Sequence, residues 1–213
     1  MRSVLKSCLT LVDSTWGNNY LDELKWVDEV ISPVRNAQVL LNRFNTYPKP
    51  LMIENSQLGN DLRHELKNSQ EKLALELISP TFQQFLSYQN FETRESIPCL
   101  HSTEPVIHYL KEFNRAAWKS LSKAIAKADD DHLHKVRIKA KETKYLAEAS
   151  IPVIGKTLKD NGKIAGNIQS ALGYLQDSLM MTAATTSVEI LEYEKKERKQ
   201  IKSDWRKFVK HNF

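Results

Sequence analysis

Four potential cations follow one another at helical spacing within residues 133–149. His134, Arg137, Lys141 and Lys144 are separated by three, four and three residues. In a helix of roughly 100° per residue, these four positions fall within about 80° of arc. The spacing therefore predicts one cationic helix face, which is an anion site in outline.

A solvated surface is the alternative interpretation of such a stripe, and it is the commoner role of charged residues on a helix. Here, however, an apolar sector borders the stripe, made up of Leu133, Val136, Ala140 and Ala147. A further polar sector carries Lys135, Lys139 and Glu142. We therefore expect the cationic face to lie at the rim of a groove.

The mixture of cations indicates the kind of anion. Arg137 offers a planar fork of donors suited to two phosphate oxygens, whereas Lys141 and Lys144 act as mobile point charges. Such a set suits a repeating anion that binds in more than one pose. His134 can donate to phosphate when protonated, and a neutral His134 donating to a backbone carbonyl is the alternative.

Two neighbours of the stripe have structural interpretations as well. Glu148 lies one turn beyond Lys144, and we expect it to hold that ammonium through an i,i+4 pair. Tyr145 can pack its ring against a groove wall or offer its hydroxyl to a ligand, and both roles stay open. Arg115 and Lys119, four residues apart in the preceding segment, are further binding candidates, with a solvated surface as the alternative.

The elements that position these residues are predicted to be helical. The 213 residues include six glycines and seven prolines, and 41% are hydrophobic, which is ample for a core. We expect an all-α protein of seven or eight helices, with breaks at 16–19, 47–50, 97–98 and 129–131. The acidic residues 129–131 are expected to cap the next helix, with metal binding as the less favoured alternative.

Apolar periodicity predicts the core faces of a bundle. One predicted stripe is Leu62, Leu66, Leu73, Leu77 and Ile78. Another is Val106, Leu110, Phe113, Ala117, Leu121 and Ile125. Residues 194–210 are predicted to form a final amphipathic helix that packs through Trp205 and Phe208, with nonspecific phosphate contact as the alternative.

Charge and cysteine content limit the function classes. Lysine and arginine outnumber aspartate and glutamate by 31 to 26, an excess of +5 that by itself does not indicate a nucleic-acid binder. Cys8 and Cys99 form neither a disulfide framework nor a metal motif, and the chain shows no signal-peptide pattern. We therefore expect a cytoplasmic protein that does not span a membrane.

An internal repeat is also indicated. Residues 2–5 can be set against 144–147 at an offset of 142, and residues 31–36 against 172–177 at an offset of 141. A duplicated helical unit would explain both offsets, with the first copy beginning partway through its first helix.

These residues resemble a known family, the CHAD domain or conserved histidine α-helical domain. His134, Arg137, Lys141, Lys144, Tyr145 and Glu148 together match its His-x-x-Arg-x-x-x-Lys-x-x-Lys-Tyr-x-x-Glu signature. Residues 172–177 look like its Leu-Gly-x-x-x-Asp element, and residues 34–39 look like its first-half Arg-Asp-x-Asp-Val. Asn36 and Gln38 stand where that element has acids, and no first-half His-x-x-Arg precedes Arg2.

The resemblance implies a single CHAD-like domain over 1–213, built from two pseudo-symmetric helical bundles around a central basic groove. The first half would cover 1–96, a linker 97–103 and the second half 104–213. The implied ligand is inorganic polyphosphate, bound by His134, Arg137, Lys141 and Lys144. Arg35 matches the arginine of the first-half element, and Arg2 matches the position equivalent to Lys144.

We therefore expect a noncatalytic polyphosphate-binding protein that needs no cofactor or metal and has no specific nucleic-acid or membrane partner. No phosphate-binding loop and no hydrolase motif occurs in the sequence. The alternatives are an enzyme acting on polyphosphate and a scaffold that docks an acidic protein. The oligomeric state stays open, with a dimer possible, and the location could be beside polyphosphate granules.

Overall fold

The chain is helical wherever its structure is described. The computed structural model describes residues 1–89, 106–128 and 132–212, and no β-strand occurs in these ranges. The all-α class is confirmed. The α-helices are α1 Arg2–Ser7, α2 Ser14–Phe44, α3 Lys49–Glu54, α4 Ser56–Leu77, α5 Pro80–Gln89, α6 Val106–Ala126, α7 Leu133–Ile154, α8 Lys159–Ala184 and α9 Val188–Asn212. Two short 3-10 helices, Leu9–Leu11 and Lys156–Leu158, precede α2 and α8.

Packing divides the described chain into two compact units. Unit 1 contains residues 1–13, 106–128, 132–176 and 195–212, and unit 2 contains residues 14–89 and 177–194. Each unit combines separate segments, whereas the predicted halves 1–96 and 104–213 are contiguous. The predicted linker 97–103 and the predicted cap at 129–131 lie outside the described residues. The two repeated halves stay a prediction.

The core of unit 1 is built from α6, α7, α8 and the end of α9. Its buried members are Leu121, Ile125, Leu133, Val136, Ala140, Ala165, Ile168, Leu172, Leu175 and Trp205. Phe208 packs against this cluster, and its ring stacks on Trp205 with centroids 6.0 Å apart. The prediction of a final helix that packs through its aromatic residues is confirmed.

Buried polar side chains fix α7 against α6. Asn114 Nδ2 donates to Ser150 Oγ at 2.8 Å, and Ser150 Oγ donates to the Leu146 carbonyl at 2.7 Å. Thr143 Oγ1 lies 3.3 Å from the Ala117 carbonyl on α6. Because buried hydroxyl and amide groups are costly to leave unpaired, these bonds set the position of one helix along the other.

Unit 2 is organised around a buried ion pair. Arg43 donates to both carboxylate oxygens of Glu194, at 2.9 and 2.8 Å, and the Tyr47 hydroxyl donates to the same carboxylate. Burial by itself would raise the pKa of Glu194, but hydrogen bonds from Arg43, Ser178 and Tyr47 outweigh it and hold that pKa below its ordinary value. The carboxylate therefore joins α9 to α2 and α8.

Apolar packing completes unit 2. The buried cluster consists of Phe44, Tyr47, Leu62, Met181 and Ile190. Here α4 approaches α2 closely at Gly59, since a Cβ at that position would lie 2.6 Å from Phe44 Cε1. Position 59 requires glycine because a side chain there would collide with the Phe44 ring, and not because of the backbone conformation.

The predicted break at 16–19 is wrong, whereas the break at 47–50 is confirmed. Helix α2 runs without interruption through Gly17, and the Trp16 ring stacks on Tyr20 one turn later, with centroids 5.3 Å apart. The chain leaves α2 after Phe44 and enters α3 at Lys49. Aromatic packing along α2 outweighs the local preference of the Gly-Asn-Asn sequence for a turn.

Each predicted apolar stripe is buried at one end, at Leu62 in the first and at Leu121 and Ile125 in the second, half-buried at its centre and exposed at the other end. Ile78 is 72% exposed, Leu77 39% and Val106 58%, so their assignment to the core was wrong. These residues stand at or beyond helix termini, where no described element covers them. No helix in the described part of the chain is long and apolar enough to cross a membrane.

Candidate anion-binding site

Helix α7 carries the predicted cationic stripe. It begins at Leu133, as predicted, and continues to Ile154, where Gly155 ends it with a φ of 91°. The predicted apolar sector is confirmed, since Leu133, Val136, Ala140 and Ala147 are all buried in unit 1. The stripe is thus held in place by the adjacent, buried side of its own helix.

Helix α8 runs antiparallel to α7 in a register that three contacts define. His134 Nδ1 lies 3.2 Å from Gln176 Oε1 at one end. A Cβ on Gly166 would lie 3.6 Å from Lys144 Cδ, and one on Gly162 would lie 3.3 Å from Ala147 Cβ. In this register, facing residues of α7 and α8 have numbers that add up to about 310.

This register assigns open space beside Arg137. It places Gly173 across from Arg137, and a Cβ on Gly173 would meet no atom within 4 Å. It also places Gln169 across from Lys141. Arg137 Nε and Gln169 Oε1 are both buried, and within the described residues neither has a hydrogen-bond partner. A buried polar group without a hydrogen-bond partner lowers the stability of the fold by about 1–3 kcal/mol.

The two lysines of the stripe are gathered around Tyr145. The Nζ atoms of Lys141 and Lys144 lie 5.9 and 5.4 Å from the centroid of its ring. Lys144 Nζ also lies 4.0 Å from Glu148 Oε1, so the predicted i,i+4 pair is confirmed. An aromatic face attracts ammonium groups, which partly offsets the repulsion between the two lysines.

Carboxylates are scarce on this face. Within the described residues, Lys144 is the one member of the stripe with a carboxylate within 4.0 Å. Arg137 is half-buried and has neither an ion pair nor a hydrogen bond to any described residue. Like charges gathered without acidic partners favour an external anion.

The remaining candidates are more dispersed. Arg2 is exposed on α1, a short helix that packs against α7 within unit 1. Arg115 and Lys119 are exposed on α6, and neither forms a hydrogen bond or ion pair within the described residues. Arg35 is exposed on α2, in unit 2. Their roles in binding stay predictions.

Comparison with known proteins identifies the family. Residues 1–185 match the CHAD domain. The chain belongs to the CHAD domain family. The crystal structure of the CHAD domain from the plant Ricinus communis has the same fold, with a TM-score of 0.64 at 18% sequence identity. That alignment covers 95% of this chain and 71% of the plant chain. No curated protein matches the chain.

The CHAD match covers all of α1 to α8. It ends at residue 185, before α9 begins at Val188. Glu194, the carboxylate at the centre of unit 2, therefore stands beyond the matched residues.

Sequence reasoning missed Gln176 and Gly173 as members of this site. Both belong to the segment 172–177 that carries the resemblance, so a motif pointed to the segment but not to these two positions. His134 contacts Gln176, a pairing that depends on the register between α7 and α8. Within the described residues, no group of three His, Cys, Asp or Glu side chains could hold a metal ion.

Proposed function

We propose that the protein binds inorganic polyphosphate, without catalysis, along the cationic face of α7. The observation that carries this proposal is the gathering of His134, Arg137, Lys141 and Lys144 on one helix face, where a single carboxylate of the described residues lies beside them. A phosphate chain supplies one negative charge after another at close spacing. Several mobile cations on one line can therefore be neutralised together by such a ligand.

Each residue has a role in this proposal. Arg137 grips two phosphate oxygens through its planar fork, and Lys141 and Lys144 follow neighbouring phosphates. His134 donates from its ring, and Tyr145 holds the two lysines close together. Arg2, Arg115 and Lys119 extend the phosphate path within unit 1, and Arg35 is a further phosphate contact in unit 2. A location in the cytoplasm beside polyphosphate granules belongs to the same proposal.

The decisive test changes Arg137 and Lys141 together to Ala. We expect polyphosphate affinity to fall about 100-fold at about 150 mM salt, since two charge-assisted contacts are lost. The matched control changes Lys195 and Lys199 to Ala, two exposed lysines on α9 that remove the same charge. Affinity is measured by titration, and the fold by circular dichroism and thermal unfolding.

Two results would contradict the proposal. One is equal loss of affinity in the double variant and in the α9 control, which would indicate general charge attraction. The other is equal affinity of the unaltered protein for polyphosphate and for double-stranded DNA of the same total charge. Loss of the fold in the double variant would instead assign the stripe to a structural network.

A further inference from the structure

A second cationic surface of unit 1 lies on a different side of α7. It is a groove of about 750 Å³ lined by residues of α1, α6 and α7. Five lysines form its rim: Lys6, Lys123, Lys127, Lys135 and Lys139. Around α7, Lys135 and Lys139 lie on average about 160° from the centre of the stripe that contains His134. The groove is therefore separate from the stripe on α7, although Lys123 stands one turn beyond Lys119 on α6 and Lys6 one turn beyond Arg2 on α1.

The rim is a pair of lysine rows. Lys123 and Lys127 stand one turn apart on α6, and Lys135 and Lys139 stand one turn apart on α7, so each row spans about 6 Å along its helix. Lys139 Nζ lies 2.7 Å from Glu142 Oε2. Within the described residues the other four rim lysines have no carboxylate partner. An external acidic group would offset the repulsion between these lysines.

Part of the groove lining is apolar. Ala124 of α6 and Ile138 of α7 form this part, which is called the floor below, and Ser120, His132 and Glu142 complete the lining. Ile138 is an apolar residue, yet 40% of it is exposed to solvent. A bare phosphate chain has no apolar part to bury on this floor. A ligand that uses both rim and floor must carry an apolar group among its negative charges.

We propose that this groove docks an acidic peptide segment of a partner protein. One apolar side chain of the segment lies on Ala124 and Ile138, and carboxylates on either side of it meet the lysines of α6 and α7. An exposed apolar centre within a charged rim is the usual anatomy of a small protein interface. Lysines, which are flexible point charges, accept carboxylates without one fixed geometry. The proposal does not depend on polyphosphate binding.

The test uses the full chain and a synthetic peptide. The probe is a fluorescein-labelled peptide of alternating Glu and Leu pairs, about 12 residues long, enough for three helical turns. Changing Lys123 and Lys135 together to Glu is expected to weaken binding about tenfold or more, measured by fluorescence anisotropy. The matched control changes Lys195 and Lys199 to Glu on the exposed face of α9 and is expected to bind within about twofold of the unaltered protein.

A second pair of measurements tests the apolar floor. The variant Ile138→Ser is expected to bind the Glu-Leu peptide about fivefold more weakly, because the apolar contact is lost. An all-Glu peptide of equal charge is expected to bind about tenfold more weakly than the Glu-Leu peptide. Thermal unfolding tests whether each variant keeps its fold. If the variant with Glu at positions 123 and 135 does not fold, Lys123 and Lys135 are changed to Ala instead.

Three results would overturn the proposal. Unchanged peptide affinity in the groove variants would show that the peptide binds elsewhere. An equal fall in the α9 control would show attraction by charge alone. Equal affinity for the all-Glu peptide, or loss of polyphosphate binding when Lys123 and Lys135 are changed, would make the groove a general anion surface.

Discussion

At the scale of single residues, most cations of the stripe on α7 have no acidic partner among the described residues. Arg137 is half-buried, yet it has no acidic partner within the described residues, and Gly173 on α8 leaves space across from it. A guanidinium in this setting keeps its donors available for an incoming anion. The uncharged side chains of Tyr145 and Gln176 contact the other cations: Tyr145 lies beside Lys141 and Lys144, and Gln176 lies beside His134.

Filling the space at Gly173 is predicted to block polyphosphate without harming the fold. A leucine there would occupy the space beside Arg137, and we expect affinity to fall about tenfold. Stability should be unchanged or higher, because replacing a helical glycine gains up to about 1 kcal/mol. The measurements are polyphosphate titration and thermal unfolding.

The variant Gly173→Ala provides the matched control. This variant replaces the same helical glycine, but its single methyl group leaves most of the space beside Arg137 open. Affinity for polyphosphate should therefore stay within about twofold of that of the unaltered protein. Full affinity in the leucine variant would show that polyphosphate does not use this space.

At the scale of the helices, buried polar contacts fix the elements in place. Asn114 and Ser150 join α6 to α7, and Glu194 joins α9 to α2 and α8. Glu194 is fully buried and Arg43 nearly so. Removing one partner of such a pair leaves the other charge without compensation, which is far costlier than losing a surface ion pair.

The Glu194→Gln variant is predicted to lose about 3–5 kcal/mol of unfolding free energy at neutral pH, since Arg43 stays buried and unpaired. The pKa of Glu194 in the folded protein lies below its ordinary value of 4.5. Its contribution is therefore present above about pH 4.5 and is lost as pH falls through the lower folded pKa. The gap between the two proteins should narrow below pH 4.5 in urea unfolding.

The control for this experiment is Glu192→Gln. Glu192 is exposed on the same helix, so its loss should change stability by less than about 0.5 kcal/mol. A gap between the unaltered protein and Glu194→Gln that stays constant down to pH 3 would contradict the assigned role of the carboxylate.

At the scale of the whole molecule, local clustering of charge matters more than the total. The formal net charge is +5, which is small for 213 residues. Unit 1 nevertheless carries both the stripe on α7 and the lysine groove, and in the described part of the chain one carboxylate pairs with a cation at each of them. Since salt screens exposed charges beyond about 8 Å at physiological strength, distant residues contribute little to either surface.

Salt titration is predicted to report the number of cations in the stripe. With three or four of them engaged, the logarithm of polyphosphate affinity should fall against the logarithm of salt concentration with a slope between about −2 and −3. Changing Lys195 and Lys199 to Glu lowers the net charge from +5 to +1, because each reversal removes two units.

That reversal should leave the slope unchanged, because the altered residues lie on the exposed face of α9 and outside the stripe. A slope near zero would contradict a phosphate site built on these cations. A different slope in the variant with Lys195 and Lys199 changed to Glu would show that polyphosphate affinity follows the net charge of the protein.

The amino-acid sequence by itself determined the helical class, the start of α7 and the composition of its two faces. Helical periodicity is local information, and it holds wherever an amphipathic segment packs against a core. The family resemblance was likewise present in six residues of one helix. Both conclusions are confirmed, by the structure and by the match over residues 1–185.

Tertiary structure alone decided which residues of different helices meet. The contact of His134 with Gln176, the open space at Gly173 and the lysine groove depend on the register between helices, which local periodicity does not encode. Packing also carried α2 through Gly17 and left Ile78 exposed. Long-range burial outweighs local preference at such positions, because it involves more free energy than the propensity of a single residue.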